Sequence, residues 1–289
     1  MLKTFNYHQP TDLNEACRLL VELPDAQVLA GGTDLLVDIE ADIRQADNVI
    51  SLKKISGLDQ IVEEDGKVSI GCACTARNIE MSQLIRCYFP EIKDMIPTFA
   101  SPQIRSRATI AGNICSAVAC ADFPVILIAL AADVELFSQN GGRIISLKDF
   151  FISNRETVRK EGEILTRILV PKKSSTSAAC YLKFRRRASN SLAVAGVAVF
   201  LDITQGICQE ARIVLGAVAP RPMLAEKASA FLIGRKVNDK AISVAAELAQ
   251  KESQPITDVR GSREFRRELV FILTKRALKN VVEKIGNAL

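Results

Sequence analysis

The sequence predicts an α+β protein of two domains, and three observations carry that prediction. The first residues alternate strand, helix and strand in the manner of a small parallel unit. From residue 61 onward the pattern turns antiparallel, with turn signals at Asp65-Gly66 and Asn140-Gly141-Gly142 between alternating apolar runs. A polar tract, residues 171–177 (PKKSSTS), then separates this region from three further strand-like runs and a helical last third. The domains are therefore placed at residues 1–172, with subdomains of about 1–57 and 58–172, and at residues 173–289.

Taken in order, Thr11 is expected to cap a short amphipathic helix in which Leu13, Ala16, Cys17 and Leu20 follow helical spacing. Residues 26–30 read as a strand, 35–39 as the start of a helix and 48–52 as the next strand. A strand from Ile61, the turn at Asp65-Gly66 and an alternating strand over 67–75 come next, with Cys72 and Cys74 on one strand face. Helices follow over 79–86 and near 92–100, then another over 123–132, then a hairpin of 134–138 and 143–147. Residues 164–170 make one more strand. Beyond the polar tract, 178–185, 192–203 and 211–218 read as antiparallel strands, and 223–233, 239–252 and 262–285 as helices. In the last helix Phe265, Leu269, Ile272, Leu273, Val281 and Val282 form the expected apolar stripe. Its cations, including Arg263, Arg266 and Arg267, are read as a solvated face or a partner contact.

Two loops of small residues carry the functional signal. One follows the strand ending in Val28, Leu29 and Ala30 and runs through Gly31, Gly32, Thr33, Asp34 and Leu35. The other is Thr109, Ile110, Ala111, Gly112 and Asn113, leading to Asp122. Glycine removes the Cβ that would hold a ligand off and permits unusual φ/ψ, so such backbone can wrap phosphates closely. Two such loops suggest a dinucleotide with its pyrophosphate between them. The chain has neither G-x-G-x-x-G nor G-x-x-x-x-G-K-[ST], which argues against a doubly wound dinucleotide fold and a P-loop nucleotidase. Gly31-Gly32 also reads as an ordinary turn after a buried strand. Asp122 also reads as a helix N-cap, with Pro124 in the first turn, and capping and ligand contact need not exclude each other.

Composition narrows the chemistry. With 48% hydrophobic and 25% charged residues the chain falls in the ordinary globular range, and a spread net charge of +5 gives no argument for nucleic acid. Residues 1–15 lack the apolar core of a secretory leader, and the charge-free stretches 108–121 and 123–132 are too short or too polar to span a bilayer. A cytoplasmic protein is expected. Its eight cysteines, in no C-x-x-C or paired cluster, read as reduced and mostly buried rather than as zinc or iron–sulfur ligands. A single histidine, His8, argues against His-based triads and His-ligated metal sites. No side chain stands out as a catalytic acid or base. The basic run from Lys183 to Arg187 reads either as a charge-defended edge strand or as a strand whose Lys183 faces a cofactor.

At these residues the chain resembles a known family: the FAD-binding (medium) subunit of the molybdenum hydroxylases, among them the carbon monoxide, xanthine and nicotinate dehydrogenases. The resemblance runs through the 5–20 pattern, the AGGTDL loop, Ser101-Pro102-Gln103-Ile104-Arg105 leading into Thr109-Ile110-Ala111-Gly112-Asn113, Asp122, and the G-E-I-L segment from Gly162 to Leu165. It implies a two-part FAD-binding domain followed by a smaller domain of an antiparallel three-stranded sheet with a helical bundle. It further implies non-covalent FAD held by residues 28–35 and 109–113, mainly through backbone N–H groups. Asp122 would bind a cofactor hydroxyl, Leu165 would touch the adenine or ring region, and Lys183 would lie near the flavin. The molybdenum cofactor would sit on a large partner subunit and [2Fe–2S] centres on a small one, with electrons passing through the FAD to an external acceptor. No iron–sulfur cluster is expected on this chain.

Two positions depart from the family pattern: Ala111 where glycine is usual, and Val118-Ala119 where a Ser-Pro pair is usual, which leaves that loop without proline's stiffness. They keep open a flavin-poor assembly protein of the same fold. A free-standing FAD oxidoreductase is the other alternative, though it would need acid and base groups that the chain does not display.

Overall fold

Three short strands open the chain. The computed structural model describes residues 4–187 and 191–286; residues 1–3 of the polar opening stretch lie outside the described residues. Strands β1 (Asn6–His8), β2 (Ala26–Leu29) and β3 (Asn48–Ser51) pair in parallel in the order β1-β3-β2, with helices α1 (Leu13–Glu22) and α2 (Leu35–Glu40) between them. The cap of α1 is Asp12, not Thr11. Its carboxylate accepts from the Glu15 N–H at 2.9 Å, while the Glu15 carboxylate accepts from the Thr11 N–H at 3.2 Å. An ionised oxygen is a stronger acceptor than a hydroxyl, so the acid takes the cap.

A five-stranded antiparallel sheet follows, built from β4 (Ile61–Glu64) and β5 (Lys67–Gly71), later β6 (Asp133–Ser138), β7 (Gly141–Ser146) and β10 (Ile164–Pro171), in the order β4-β5-β10-β6-β7. Strand β5 ends at Gly71, short of the expected residue 75. A Cβ there would stand 2.2 Å from the Leu58 carbonyl oxygen, and the chain turns beneath that backbone, with Ala73 N–H donating to Leu58 O. Cys72 and Cys74 are both fully buried, yet they lie in this turn rather than on a strand face.

Between β5 and β6 the chain is helical in short pieces: α3 (Ala76–Met81), α4 (Gln83–Tyr88), α5 (Pro90–Met95), α6 (Pro102–Arg105), α7 (Ile110–Cys115) and α8 (Asp122–Ala129). The single helix expected over 79–86 breaks at Ser82, whose hydroxyl caps α4 by accepting from Ile85 N–H. The one expected near 92–100 stops at Met95 and continues as one 3₁₀ turn holding Pro97, because proline cannot extend the α-helical bonding. Every residue of α8 is buried, which fits its apolar run from Phe123 to Ala129 and its packing against β12, β13 and α7. A small hairpin, β8 (Phe151–Ser153) and β9 (Glu156–Thr157), turns at Asn154-Arg155.

The polar tract 171–177 leads into an antiparallel sheet of β11 (Ser177–Arg185), β12 (Ala193–Thr204), β13 (Ile207–Gly216) and β14 (Met223–Leu224), in that order. The last is a fourth, two-residue strand where a helix start was expected; α9 begins at Glu226. Helices α9 (Glu226–Leu232), α10 (Asp239–Glu252) and α11 (Arg263–Gly286) pack on this sheet. The fold class therefore stands as read, with one more strand.

The stripe of α11 differs from its reading in two ways. Leu269, Leu273 and Val281 are buried, but Phe265 and Ile272 are exposed, and Arg266 takes an inward position with its side chain 2% exposed. Its guanidinium donates to Ala217 O at 2.9 Å and to the Asp258 carboxylate at 2.5 Å, closing off the loop before the helix. Removing Arg266 strips the Ala217 carbonyl of its buried donor and takes one of two cations from Asp258, which keeps Arg260, so Arg266→Ala should cost about 1–3 kcal/mol. Arg267, on the exposed face, should tolerate alanine within about 0.5 kcal/mol. Urea unfolding of the two variants checks the contrast.

Candidate functional site

A cavity of about 1340 Å³ opens between the first sheet, the helical pieces of the middle region and the 154–165 segment. Sites for drug-sized ligands span roughly 300–1,000 Å³, so this one has room for a dinucleotide. Both small-residue loops line it. On the first are Val28, Ala30, Gly31, Gly32, Thr33, Asp34 and Leu35; on the second, Thr109, Ala111, Gly112 and Asn113; Asp122 and Leu165 complete the expected set.

Three expected residues do not reach the wall. Leu29 points into a small core with Ile39 and Val49, and Ile110 is fully buried with its N–H given to Cys74 O at 3.0 Å. Lys183 turns away too: its ammonium lies 2.7 Å from the Asp122 carboxylate, with its side chain 2% exposed. The strand of Lys183 is an edge strand, as read, but its ammonium is not solvated, because an available buried carboxylate outcompetes solvent for it.

The two loops are held together by a backbone contact at Gly31. A Cβ on Gly31 would stand 2.2 Å from Arg107 O and 3.1 Å from the Ala108 Cα, so only hydrogen fits. Gly32 takes φ +77°, a left-handed turn that swings the chain along the cavity. The loops divide the donors unequally. Among the described residues the N–H groups of Gly31, Gly32, Thr33 and Asp34 have no protein acceptor. In the second loop Gly112 N–H goes to Thr109 Oγ1 at 3.1 Å and Asn113 N–H to Thr109 O at 3.0 Å. Ala111 keeps its place in the first turn of α7, where a methyl is accommodated and buried.

Asp122 does not cap α8. The N-cap position is Ala121, and the first-turn Phe123 N–H is taken by the Asn113 side-chain oxygen at 3.2 Å. The Val118-Ala119 segment is fixed from outside instead of by proline. Ala119 N–H donates to Asn154 Oδ1 at 3.1 Å, Arg155 N–H to Ala117 O at 2.8 Å, and Ala217 N–H to Ala119 O at 2.8 Å.

Charged residues that sequence reasoning did not single out also line the cavity. Arg155, left-handed at φ +63°, donates twice to Asp38, at 2.6 and 3.2 Å, joining the β8–β9 turn to α2 across the cavity. Shelter from solvent and the nearby Asp38 carboxylate push the Asp34 carboxyl up, against the pull of Arg155. Glu163 is held below its ordinary range chiefly by Arg143, whose guanidinium donates to it at 2.7 and 2.8 Å. Arg44, Arg159 and Arg260 add further positive charge to the wall. Nothing local in the sequence pairs Arg155 with Asp38.

Known proteins match the chain in two stretches. Residues 3–173 match the family described as FAD binding domain in molybdopterin dehydrogenase, and residues 179–281 match the CO dehydrogenase flavoprotein C-terminal domain. The carbon monoxide dehydrogenase medium chain of Afipia carboxidovorans is 31% identical, over 98% of this chain and 99% of its own. Among solved structures, a carbon monoxide dehydrogenase from Hydrogenophaga pseudoflava that lacks the Mo-pyranopterin moiety of the molybdenum cofactor superposes with TM-score 0.95 at 31% identity, covering 98% of this chain and 99% of that one. Quinoline 2-oxidoreductase from Pseudomonas putida superposes with TM-score 0.92 at 28% identity, covering 99% of both.

Two expectations follow from the site. Gly31→Ala should destabilise the chain by about 1–3 kcal/mol, because backbone must move to admit the methyl. Gly112→Ala meets only Thr109 Oγ1, at 3.0 Å, and gains helix propensity, so the two variants should separate clearly in thermal melts. Burial pushes the Cys17 thiol up to about 11 and those of Cys72 and Cys74 to about 12. Alkylation of the native chain at pH 8 should label exposed Cys87 first and Cys115 and Cys120 slowly, reaching Cys17, Cys72, Cys74, Cys180 and Cys208 only on unfolding.

Proposed function

This chain belongs to the family of FAD-binding medium subunits of molybdenum hydroxylases, and from that premise we propose that its cavity holds FAD as the electron outlet of a multi-subunit hydroxylase. Electrons arrive from [2Fe–2S] centres on a small partner subunit, the molybdenum cofactor resides on a large one, and an external acceptor takes the electrons away. The supporting observation is the run of four N–H groups without protein acceptors, Gly31 to Asp34, on the wall of a cavity of about 1340 Å³. Successive unpaired N–H groups in a turn receive anions such as a diphosphate.

Bound flavin supplies the redox chemistry, since it accepts electrons singly and delivers them in pairs. The chain's own residues bind and orient it. Gly31, Gly32, Thr33 and Asp34 offer donors to the diphosphate, and Gly112 and Ala111 keep the opposing wall low. Asp122 accepts from a cofactor hydroxyl, and Leu165 presents an apolar surface to the adenine or ring region. Leu29, Ile110 and Lys183 serve from behind rather than by contact. His8, the one histidine, hydrogen-bonds Asn48 in the first sheet and does not line the cavity, which suits a protein that leaves acid–base catalysis to a partner. The anchoring of residues 117–119 by Asn154, Arg155 and Ala217 favours this reading over a flavin-poor assembly protein. The domain division falls at about residue 172, and the working compartment is the cytoplasm.

Purified full-length chain should take up FAD and show flavin absorbance, yet oxidise no hydroxylase substrate by itself. Activity should appear only with both partner subunits added. Gly32→Val, which forces a β-branched residue into φ +77°, should abolish FAD uptake. Failure of the wild-type chain to bind FAD, or substrate oxidation by the chain alone, would count against the proposal.

A further inference from the structure

The ion pair behind Asp122 has a member that the cofactor reading does not use. Asp122 is the first residue of α8, and both of its carboxylate oxygens are engaged from β11. The Tyr181 hydroxyl donates to one at 2.5 Å and the Lys183 ammonium to the other at 2.7 Å. Tyr181 and Lys183 stand two residues apart on β11 and so share a strand face. Neither lines the cavity; Asp122 does.

The phenol has a prepared seat. Gly196 of β12 pairs with Lys183 in register, and a Cβ there would stand 2.9 Å from the Tyr181 hydroxyl oxygen. Burial and the facing carboxylate push the Tyr181 hydroxyl well above its ordinary range, so it stays protonated as a donor. An ionised carboxylate offers about four lone-pair positions, so two donors leave acceptor capacity for a third partner.

We propose that Tyr181 is a positioning residue of the cofactor site, which with Lys183 fixes the Asp122 carboxylate so that its remaining lone pairs meet a cofactor hydroxyl. The inference rests on the FAD reading above. A free carboxylate on a helix end samples several rotamers, and ligand binding must then select one. Two short, charge-assisted bonds make that selection in advance. Because the carboxylate belongs to α8 and both donors to β11, this group ties the last sheet to the cofactor site.

A double-mutant cycle on the full-length chain tests this, read as FAD affinity by titration of flavin-free protein. Tyr181→Phe removes only the hydroxyl and should weaken FAD binding about tenfold. Asp122→Asn should weaken it at least as much, and the double variant no further than Asp122→Asn alone. Gly196→Ala, which displaces the phenol while leaving Tyr181 intact, should reproduce the loss seen in Tyr181→Phe. Wild-type affinity in Tyr181→Phe, or losses that multiply in the double variant, would overturn the positioning role while leaving the FAD reading in place. A wild-type chain that binds no FAD would overturn both.

Discussion

A hydrogen atom on Gly31 is the constraint on which the site depends. Any other residue would place a Cβ against the Arg107 carbonyl, and the loop after β2 could not lie on the backbone leading into α7. That contact joins the small parallel sheet to the helical middle of the chain, and the cavity exists because the two are held at this distance. Cavity volume, donor placement and the route of the chain through Gly32 all follow from it. Interiors are close-packed, so a single Cβ at such a point is felt across both elements.

The two loops that look alike in sequence do different work. The first leaves a row of N–H groups unpaired and so keeps its capacity for an anion. The second gives its Gly112 and Asn113 N–H groups to Thr109 and its Ile110 N–H to Cys74, with Thr109 capping α7 and Asn113 capping α8 from a distance. Its contribution is smallness and shape. In the first loop Gly31, Gly32 and Thr33 are half-buried and Asp34 is exposed, so these donors are open to whatever fills the cavity, solvent or ligand.

Charge around the cavity is arranged in crossing pairs. Asp38 with Arg155 ties α2 to the β8–β9 turn, Glu163 with Arg143 ties the entry of β10 to β7, and Asp122 with Lys183 and Tyr181 ties α8 to β11. Each pair joins side chains at least 20 residues apart in the chain. Buried pairs of this kind add little net stability over apolar replacements, but a mispaired arrangement leaves a charge uncompensated. Their role here is to fix which surfaces face one another.

What the sequence determined by itself was local. Periodicity and turn chemistry placed the hairpins at Asp65-Gly66 and Asn140-Gly141-Gly142, the three long strands of the last sheet and α10, whose bounds match the reading residue for residue. They did not place the β8–β9 hairpin. Composition and the two small-residue loops pointed to what the fold makes a cavity wall, and their combination marked the family. Tertiary structure decided the rest. Whether Lys183 meets solvent, a flavin or a carboxylate depends on α8 lying against β11, which no window around Lys183 encodes. Arg266 turns inward because Ala217 O and Asp258 wait there, although its helical neighbours argue for solvent. Gly31 reads locally as a turn glycine, yet its small size is required by Arg107, far along the chain. Periodicity and propensity report one segment's preferences, whereas these assignments are set by which segments the fold brings into contact.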